Sequence, residues 1–487
     1  MTKKYLTFDY GASSGRGIVA SFNGRRIELD ELHRFSNDPV YAFGHYSWDI
    51  LRLFHEMKQG MKKLSATGAK DVVSMGVDTW GVDFGLLDSD GRLIGNPLFY
   101  RDAITDGEAE RVFESVSKRE LYERTGIQYL KFNTLFQLTA LYRRYPKLMD
   151  SAKTLLFMPD LFNYMLTGVP SAEFTMASTS EMLDVRTRNY DFELLEKLGI
   201  NTAMLQPITM PGRVLGRLES KVADETGLDL PVVSVCGHDT GSAYLAVPKK
   251  PGERSAYLSC GTWSLLGTET DSPNTSDAAF AADYTNEGGW GGNIRFLKNI
   301  MGLWIYGEVR RETGNADYRT LDAEIEAADR LVRFIDPDAP EFMSPGHMTQ
   351  KIADYCTRTG QTPPQSRGET LRCVLESLAM KYRFQLEALE KTLGYRMDTL
   401  RAVGGGCKDR LLMKYTAAAI ARPVIAGPVE ATAIGNVAAQ MITMGDISGV
   451  DQARELIADS FDTDVYEITD TEFTAAYERF LKVCMAK

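Results

Sequence analysis

Short apolar runs separated by turn residues open the chain. Tyr5 to Phe8 alternates as a half-buried strand does, Gly17 to Phe22 is apolar and β-prone, and Asn23-Gly24 is a strong hairpin turn into a third such run. Between the first two runs, Asp9-Tyr10-Gly11-Ala12-Ser13-Ser14-Gly15-Arg16 makes a glycine- and hydroxyl-rich bend that leads into a strand, not a helix. Ser47 to Leu64 then reads as an amphipathic helix with Leu51, Phe54, Met57, Met61 and Leu64 on one stripe. Asp71 to Leu87 is strand-like apart from a polar interruption, Asp78-Thr79-Trp80-Gly81-Val82-Asp83, and Asp88-Ser89-Asp90-Gly91 turns it into another hairpin. Residues 102–200 are largely helical, as expected of an insertion that shapes a pocket. Leu230 to Cys236 is a short buried-type strand that runs into Gly237-His238-Asp239-Thr240.

The opening pattern then recurs. Ala256 to Ser259 is a strand, Cys260-Gly261-Thr262 a small-residue bend, and Trp263 to Gly267 a second strand. Aligning Gly11 with Gly261 gives strand, tight turn, strand twice, about half a chain apart. The proline- and charge-rich segment Val247-Pro248-Lys249-Lys250-Pro251-Gly252 suits a boundary, so the expected domains are 1–247 and 248–487. In the second half a long helix, Glu369 to Leu393, is striped by Leu371, Val374, Leu378, Tyr382, Leu386 and Leu389 and stopped by Gly394. A strand, Leu400 to Val403, enters Gly404-Gly405-Gly406, and a helix follows from Asp409. Three glycines there let a flat or phosphorylated ligand approach the backbone at a helix start, although a flexible turn accounts for one of them.

Length and charge narrow the picture. A chain of 487 residues exceeds one small core and suggests two domains. A formal charge of −11 argues against nucleic acid or an anionic membrane as the main partner, since both require a basic surface. The first residues lack the apolar stretch of a signal peptide, and no apolar run is long enough to span a bilayer, so cytoplasmic placement is the expectation. The six cysteines form no C-x-x-C and have no His at zinc-finger spacing. Cys356 and Cys373 are near enough in sequence to pair, but a reducing compartment favours free thiols.

Candidate chemistry centres on the bends. Backbone N–H and hydroxyl groups at the tip of a hairpin converge on an anion, and an acidic residue beside such a nest is explained by a metal ion that separates the charges. An ordinary turn with an incidental Asp9 explains the same residues. Neither G-x-x-x-x-G-K-[ST] nor a helix-opening G-x-G-x-x-G is present, so phosphate binding would have to use two hairpins. Asp239 follows a buried strand and is the candidate base, although an N-capping Asp fits the same position. His238 could hydrogen-bond a polyol or be structural, and Trp80 beside Gly81 could be a sugar platform or core. Taken singly, Asn286-Glu287-Gly288-Gly289 and Lys298-Asn299 read as solvated loops.

Together these residues resemble the FGGY family of carbohydrate kinases. The resemblance spans nearly the whole chain: Asp9 to Arg16, Asp78 to Phe84, Met158-Pro159-Asp160, Gly237 to Thr240, Ser259 to Ser264, Thr285 to Gly289, Lys298 to Trp304, Gly404 to Cys407 and Gly427 to Ala431. Trp80-Gly81-Val82-Asp83 and Lys298 to Trp304 narrow the subgroup. The resemblance implies an α/β fold of two ribonuclease H-like (actin-like ATPase) domains flanking a central catalytic cleft, with sugar held mainly by the first and nucleotide by the second. It implies transfer of the ATP γ-phosphoryl group to O1 of L-rhamnulose, by a monomer or homodimer. Asp239 would be the proton acceptor. Ala12, Ser13, Ser14, Gly15, Arg16, Gly261, Thr262, Gly404 and Gly405 would contact ATP. Trp80, Gly81, His238, Asp239, Thr240 and Asn299 would contact the ketose, and Mg²⁺ would sit near Asp9 and Asp239. One position departs: the family leads one to expect a nucleotide-contacting Gln where this chain has Gly307. The alternatives are another FGGY kinase acting on L-fuculose or a pentulose, and a non-catalytic sugar-sensing or filament-forming actin-like protein. The presence of both Asp9 and Asp239 speaks against a catalytically dead sensor.

Overall fold

The computed structural model describes residues 2–250 and 252–485. Met1, Pro251 (part of the expected boundary segment), Ala486 and Lys487 lie outside the described residues. The chain forms two units. The first comprises Met1–Pro248, Glu269–Leu297 and Ala431–Ser460, and the second Lys249–Thr268, Lys298–Glu430 and Phe461–Lys487.

In the first unit, β1 (Lys3–Tyr10), β2 (Ser14–Phe22), β3 (Ile27–Ser36), β4 (Val72–Thr79), β5 (Arg213–Arg217) and β6 (Pro231–Ser234) form a sheet of order β5-β6-β4-β1-β2-β3. The opening hairpins are antiparallel, whereas β4 runs parallel to both β1 and β6. Asn23 holds the hairpin turn by accepting from the Arg25 and Arg26 amides at 2.9 Å, with Gly24 at φ 92°. The amphipathic helix spans Ile50–Ala66, capped by Asp49, whose carboxylate accepts from Arg52 N at 3.2 Å. Its buried stripe is Ile50, Leu53, Met57, Met61 and Leu64. Leu51 is corrected to a surface position, 63 % exposed, because six residues before Met57 is about 120° off the stripe at 3.6 residues per turn.

The other sheet contains β7 (Ser255–Cys260), β8 (Trp263–Thr270), β9 (Thr285–Gly288), β10 (Ile294–Met301), β11 (Thr399–Val403), β12 (Val424–Ala426) and β13 (Asp464–Tyr466), in the order β9-β10-β8-β7-β11-β12-β13. Again an antiparallel hairpin, β7-β8, is followed by parallel strands, β11 beside β7 and β12 beside β11. The run β3-β2-β1-β4-β6 therefore has its counterpart in β10-β8-β7-β11-β12. The near-repeat of small-residue bends marks a repeat of topology. The long helix spans Arg367–Leu393, opened by Ser366 accepting from Glu369 N and closed by Gly394 at φ 76°. All six apolar residues of its expected stripe are buried. Cys356 and Cys373 are free thiols in hydrogen-bond contact.

Two segments expected as solvated loops are instead strand. Asn286 and Glu287 lie in β9, and Lys298 and Asn299 in β10; the first three are buried. Asn-Glu-Gly-Gly has turn-like composition, but sheet pairing of Thr285 to Gly288 with Ile294 to Leu297 overrides it.

Candidate active site

Strand register brings three acids to one edge of the first sheet. Asp9 opposes Arg16 across β1 and β2 and stands level with Asp78 across β1 and β4. Thr79, the next residue of β4, bridges to His238 just beyond β6, and Thr79 N donates to Gly237 O at 2.8 Å. Asp239 follows as the first residue of the helix Asp239–Leu245. This corrects the N-cap reading: His238 occupies the cap position, and the Asp239 carboxylate accepts from Thr240 N at 2.6 Å.

The acids differ in surroundings. Asp9 is buried and ion-paired with Arg16. Asp78 is fully buried; its Oδ2 accepts from Asn436 Nδ2 at 2.6 Å, and its Oδ1 has no hydrogen-bond partner among the described residues. Burial, reinforced by the Asp9 charge, holds the Asp78 carboxyl well above the usual range. Asp239 is the accessible acid, with its side chain 29 % exposed. Burial is the main cause that raises its pKa, with Asp9 adding to it and His238 and Thr240 opposing.

The turn before Asp239 is built by another acid. Glu173 accepts from Gly237 N at 2.9 Å and from Thr175 N at 2.8 Å, so the backbone entering His238 is fixed from beneath. Burial pushes the Glu173 carboxyl up to about 7. His238 is itself buried, with Nε2 3.4 Å from Asp239 Oδ1.

Trp80 and Gly81 belong to the same group. A Cβ at Gly81 would lie 3.2 Å from His238 Nε2 and 3.4 Å from Thr179 Oγ1, so a bare glycine keeps this edge open. Val82 adopts φ 67°, a conformation unusual for a β-branched residue. It is held there by Thr179 Oγ1, which accepts from Val82 N at 3.1 Å, and by Thr134 Oγ1, which donates to Val82 O at 2.6 Å. Trp80 stacks obliquely on Trp48 at 4.2 Å between ring centroids, and both indoles donate to Asp83 Oδ2. Trp80 is buried, so its indole lies in the core beside the site.

At the first bend, Gly11 N donates to Ser14 O and Asn37 Nδ2 donates to Gly11 O, at 2.9 and 2.8 Å. Ala12, Ser13, Ser14 and Arg16 are exposed or half-buried. Gly15 is buried, and a Cβ there would strike the Phe35 ring at 2.3 Å.

A second group lies on the second unit. Gly261 N donates to Trp263 O at 2.9 Å, and the bend is tied down by Leu303 N and Trp304 N, which donate to Gly261 O and Thr262 O. Gly404, at φ 87°, packs against Cys260: a Cβ would sit 3.0 Å from its carbonyl oxygen. A Cβ at Gly405 would meet no atom of the described residues within 4 Å. The three glycines enter a short 3-10 turn, Gly405–Lys408, before the helix Arg410–Ile420 capped by Asp409. Asn299 is half-buried on β10, and Gly307 lies within the helix Trp304–Glu312. The sequence-derived residues thus form two groups. Asp9, Ala12 to Arg16, Trp80, Gly81 and His238 to Thr240 are on the first unit; Gly261, Thr262, Asn299, Gly404 and Gly405 are on the second.

Sequence reasoning missed Arg295, Glu287 and Asn436. Arg295 is fully buried, donates from Nη2 to His238 Nδ1 at 3.0 Å and pairs with Glu287 at 3.2 Å. Its signal was an arginine inside an apolar strand, Ile294-Arg295-Phe296-Leu297, where an unpaired charge is costly. Nothing local marked Asn436, which stands 358 positions from Asp78.

Among the described residues, no group of three or more His, Cys, Asp or Glu is arranged to hold a metal ion. The donors present, Asp9 and the half-open Asp239, suit a hard divalent cation that keeps much of its water and takes further ligands from phosphate. No helix among the described residues is long and apolar enough to cross a membrane.

Comparisons with known proteins agree with these features. Residues 4–246 match the sequence model described as FGGY family of carbohydrate kinases, N-terminal domain, and residues 256–444 match its C-terminal domain. A rhamnulokinase of Bacteroides thetaiotaomicron is 42 % identical over 482 residues, covering 99 % of each chain. A rhamnulokinase of Halalkalibacterium halodurans is 43 % identical over 470 residues, covering 96 % of this chain and 99 % of that one. Among solved structures, a gluconate kinase from Lactobacillus acidophilus superposes with a TM-score of 0.80 at 16 % identity, over 99 % of this chain and 96 % of that one. That likeness is one of fold.

Proposed function

The chain belongs to the FGGY family of carbohydrate kinases, and from that premise we propose that it transfers the γ-phosphoryl group of ATP to O1 of L-rhamnulose, giving L-rhamnulose 1-phosphate and ADP. Rhamnulokinase relatives that match almost end to end support this substrate over L-fuculose or a pentulose. One structural observation carries the reading. Asp239 is a partly exposed carboxylate at the start of the helix that follows a buried strand, in a group whose other acids, Asp9 and Asp78, are buried.

In this reading Asp239 accepts the proton from the O1 hydroxyl as the oxygen attacks phosphorus in line. His238, Thr240, Gly81 and Asn299 hold the ketose, with Trp80 backing Gly81. The amides and hydroxyls of Ala12 to Arg16, Gly261 and Thr262 face the phosphates, and Gly404 and Gly405 leave backbone accessible to the nucleotide. Asp9 and Asp239 would hold Mg²⁺, which supplies charge neutralisation at the phosphates. Residues 1–247 carry most of the sugar contacts and residues 248–487 most of the nucleotide contacts, in a cytoplasmic monomer or homodimer.

The test is Asp239→Asn assayed with ATP on L-rhamnulose, L-fuculose and xylulose. The variant folds as the parent does, and kcat on L-rhamnulose falls by roughly 10²- to 10⁴-fold, the usual weight of a positioned base. Near-parental turnover removes Asp239 from its role, and preference of the parent enzyme for L-fuculose or xylulose removes the substrate assignment.

A further inference from the structure

We propose that Arg295 is a positioning residue that fixes His238 in the tautomer protonated on Nε2, so that the ring's N–H faces the Asp239 carboxylate. The consequence for turnover rests on the reading of Asp239 as the base; the tautomer itself does not.

The argument begins with donors and acceptors. A guanidinium has five N–H donors and no acceptor, so any ring nitrogen it touches must present a lone pair. Arg295 Nη2 lies 3.0 Å from His238 Nδ1. A proton on Nδ1 would point an N–H at an N–H in a site where Arg295 is fully buried and such a repulsion is costly. Nδ1 therefore accepts, and the ring proton resides on Nε2.

The surrounding charges do not reverse this arrangement. Glu287 lies 3.4 Å from Nδ1, which alone would favour a proton there. The Arg295 contact is shorter, and Arg295 Nη1 engages the same Glu287 oxygen at 3.2 Å. Arg295 cannot swing away, because its Nε donates to Gly288 O at 2.7 Å and its guanidinium lies over the Tyr244 ring. Glu173 meets the Gly237 amide, leaving the imidazole to Arg295, Glu287 and Asp239.

The tautomer then shapes the base. His238 Nε2 is 3.4 Å from Asp239 Oδ1, the same oxygen that accepts from Thr240 N at 2.6 Å and from Thr240 Oγ1 at 3.1 Å. Both Thr240 donors sit on Oδ1 and the Nε2–H stands beside the same oxygen, which leaves Oδ2 to receive the substrate proton. Arg295 thereby acts on the reacting carboxylate through one ring, as a residue behind a functional histidine does.

The experiment is a long-range ¹H–¹⁵N correlation spectrum of the ¹⁵N-histidine-labelled, ligand-free protein near pH 8, with His238→Gln to assign the ring. The expected spectrum shows Nδ1 in the lone-pair range and Nε2 in the N–H range. A proton on Nδ1, in a neutral or a charged ring, overturns the proposal whether or not the protein phosphorylates any sugar. Removing both buried charges in Arg295→Gln/Glu287→Gln avoids stranding one of them. That folded variant should show mixed tautomers and a kcat on L-rhamnulose lower by roughly 10- to 100-fold, with the KM for ATP unchanged. Arg295→Lys, which keeps a donor-only partner, should restore the parental tautomer and most of the rate. A parental spectrum in the double variant also overturns the assignment. If the parent shows the expected tautomer but phosphorylates no ketose, only the functional reading falls.

Discussion

At Asp83, four groups donate to one carboxylate: Trp48 Nε1 at 2.6 Å, Trp80 Nε1 and Gln137 Nε2 each at 2.9 Å, and Tyr100 N at 3.3 Å. A site lined only by donors is built for the ionised form. Complete burial nonetheless pushes the Asp83 pKa up to about 7, against those hydrogen bonds. From an unfolded value of about 4 up to 7, the folded protein retains a proton here that the unfolded chain has lost. This group's contribution to stability therefore declines as pH rises through that window and is constant above it. Tryptophan fluorescence should report a step centred near pH 7 as the carboxylate forms beneath Trp48 and Trp80, and Asp83→Asn should abolish it. The substitution turns an amide N–H toward donors and should cost about 1–3 kcal/mol by denaturant melting. A featureless fluorescence profile in the parent across that range would contradict the assignment. Asp9 and Arg16 were legible in the sequence because a hairpin sets their register, and Asp239 because a strand delivers it. Arg295 and Glu287 were not, since their partner His238 lies 57 residues from Arg295 and only the assembled unit joins them.

Two helices meet at backbone level where Gly435 faces Ser242. A Cβ on Gly435 would lie 1.8 Å from Ser242 O and 2.5 Å from its carbonyl carbon, and neither atom can swing aside. Gly435→Ala should therefore separate the helix Ala431–Thr443 from the helix Asp239–Leu245, at a cost of about 1–3 kcal/mol or more. Because Asp239 is the first residue of the displaced helix, turnover should fall by about 10²-fold, the usual effect of an ångström of misplacement. Gly307→Ala is the contrasting case. Its Cβ would meet no atom of the described residues within 4 Å, and the change should raise stability by about 1 kcal/mol, as alanine for glycine does in a helix. Equal thermal melts for the two variants would show that the Gly435 contact is not tight. Periodicity disclosed the helices themselves, and a terminal glycine marked the end of Arg367–Leu393, whose start was expected two residues later, at Glu369. It misplaced Leu51 and missed β9, where burial and pairing outweigh composition. No periodicity discloses which helix lies against which.

The whole molecule is where sequence order and structure part furthest. Matching bends at Gly11 and Gly261 announced two sheets of one topology, because a tight turn between strands leaves a local imprint. They could not announce that residues 269–297 and 431–460 return to the first unit. The helix Ala431–Thr443 buries Ile434, Val437 and Met441 in that unit and packs along β1 and β4. It also completes a buried polar chain: Gln440 donates to Leu6 O at 3.0 Å and to Asn436 Oδ1 at 2.8 Å, Ser74 Oγ donates to Gln440 Oε1 at 2.7 Å, and Asn436 reaches Asp78. A fragment 1–248 would lack all of these partners. Three large apolar side chains at roughly 1.5–3 kcal/mol each are of the same order as the 5–15 kcal/mol that stabilises a typical domain. Three further groups, Ser74, Asp78 and the Leu6 carbonyl, would lose their bonds at about 1–3 kcal/mol apiece where they stay buried. The fragment alone should show helix and strand by far-ultraviolet circular dichroism, weak near-ultraviolet signal and no cooperative melt. Adding residues 249–487 in trans should restore a cooperative transition, because it returns both missing segments. A sharp melt from the isolated fragment would mean that the sheet β5-β6-β4-β1-β2-β3 is self-sufficient, and that the acids at its edge are held without Asn436.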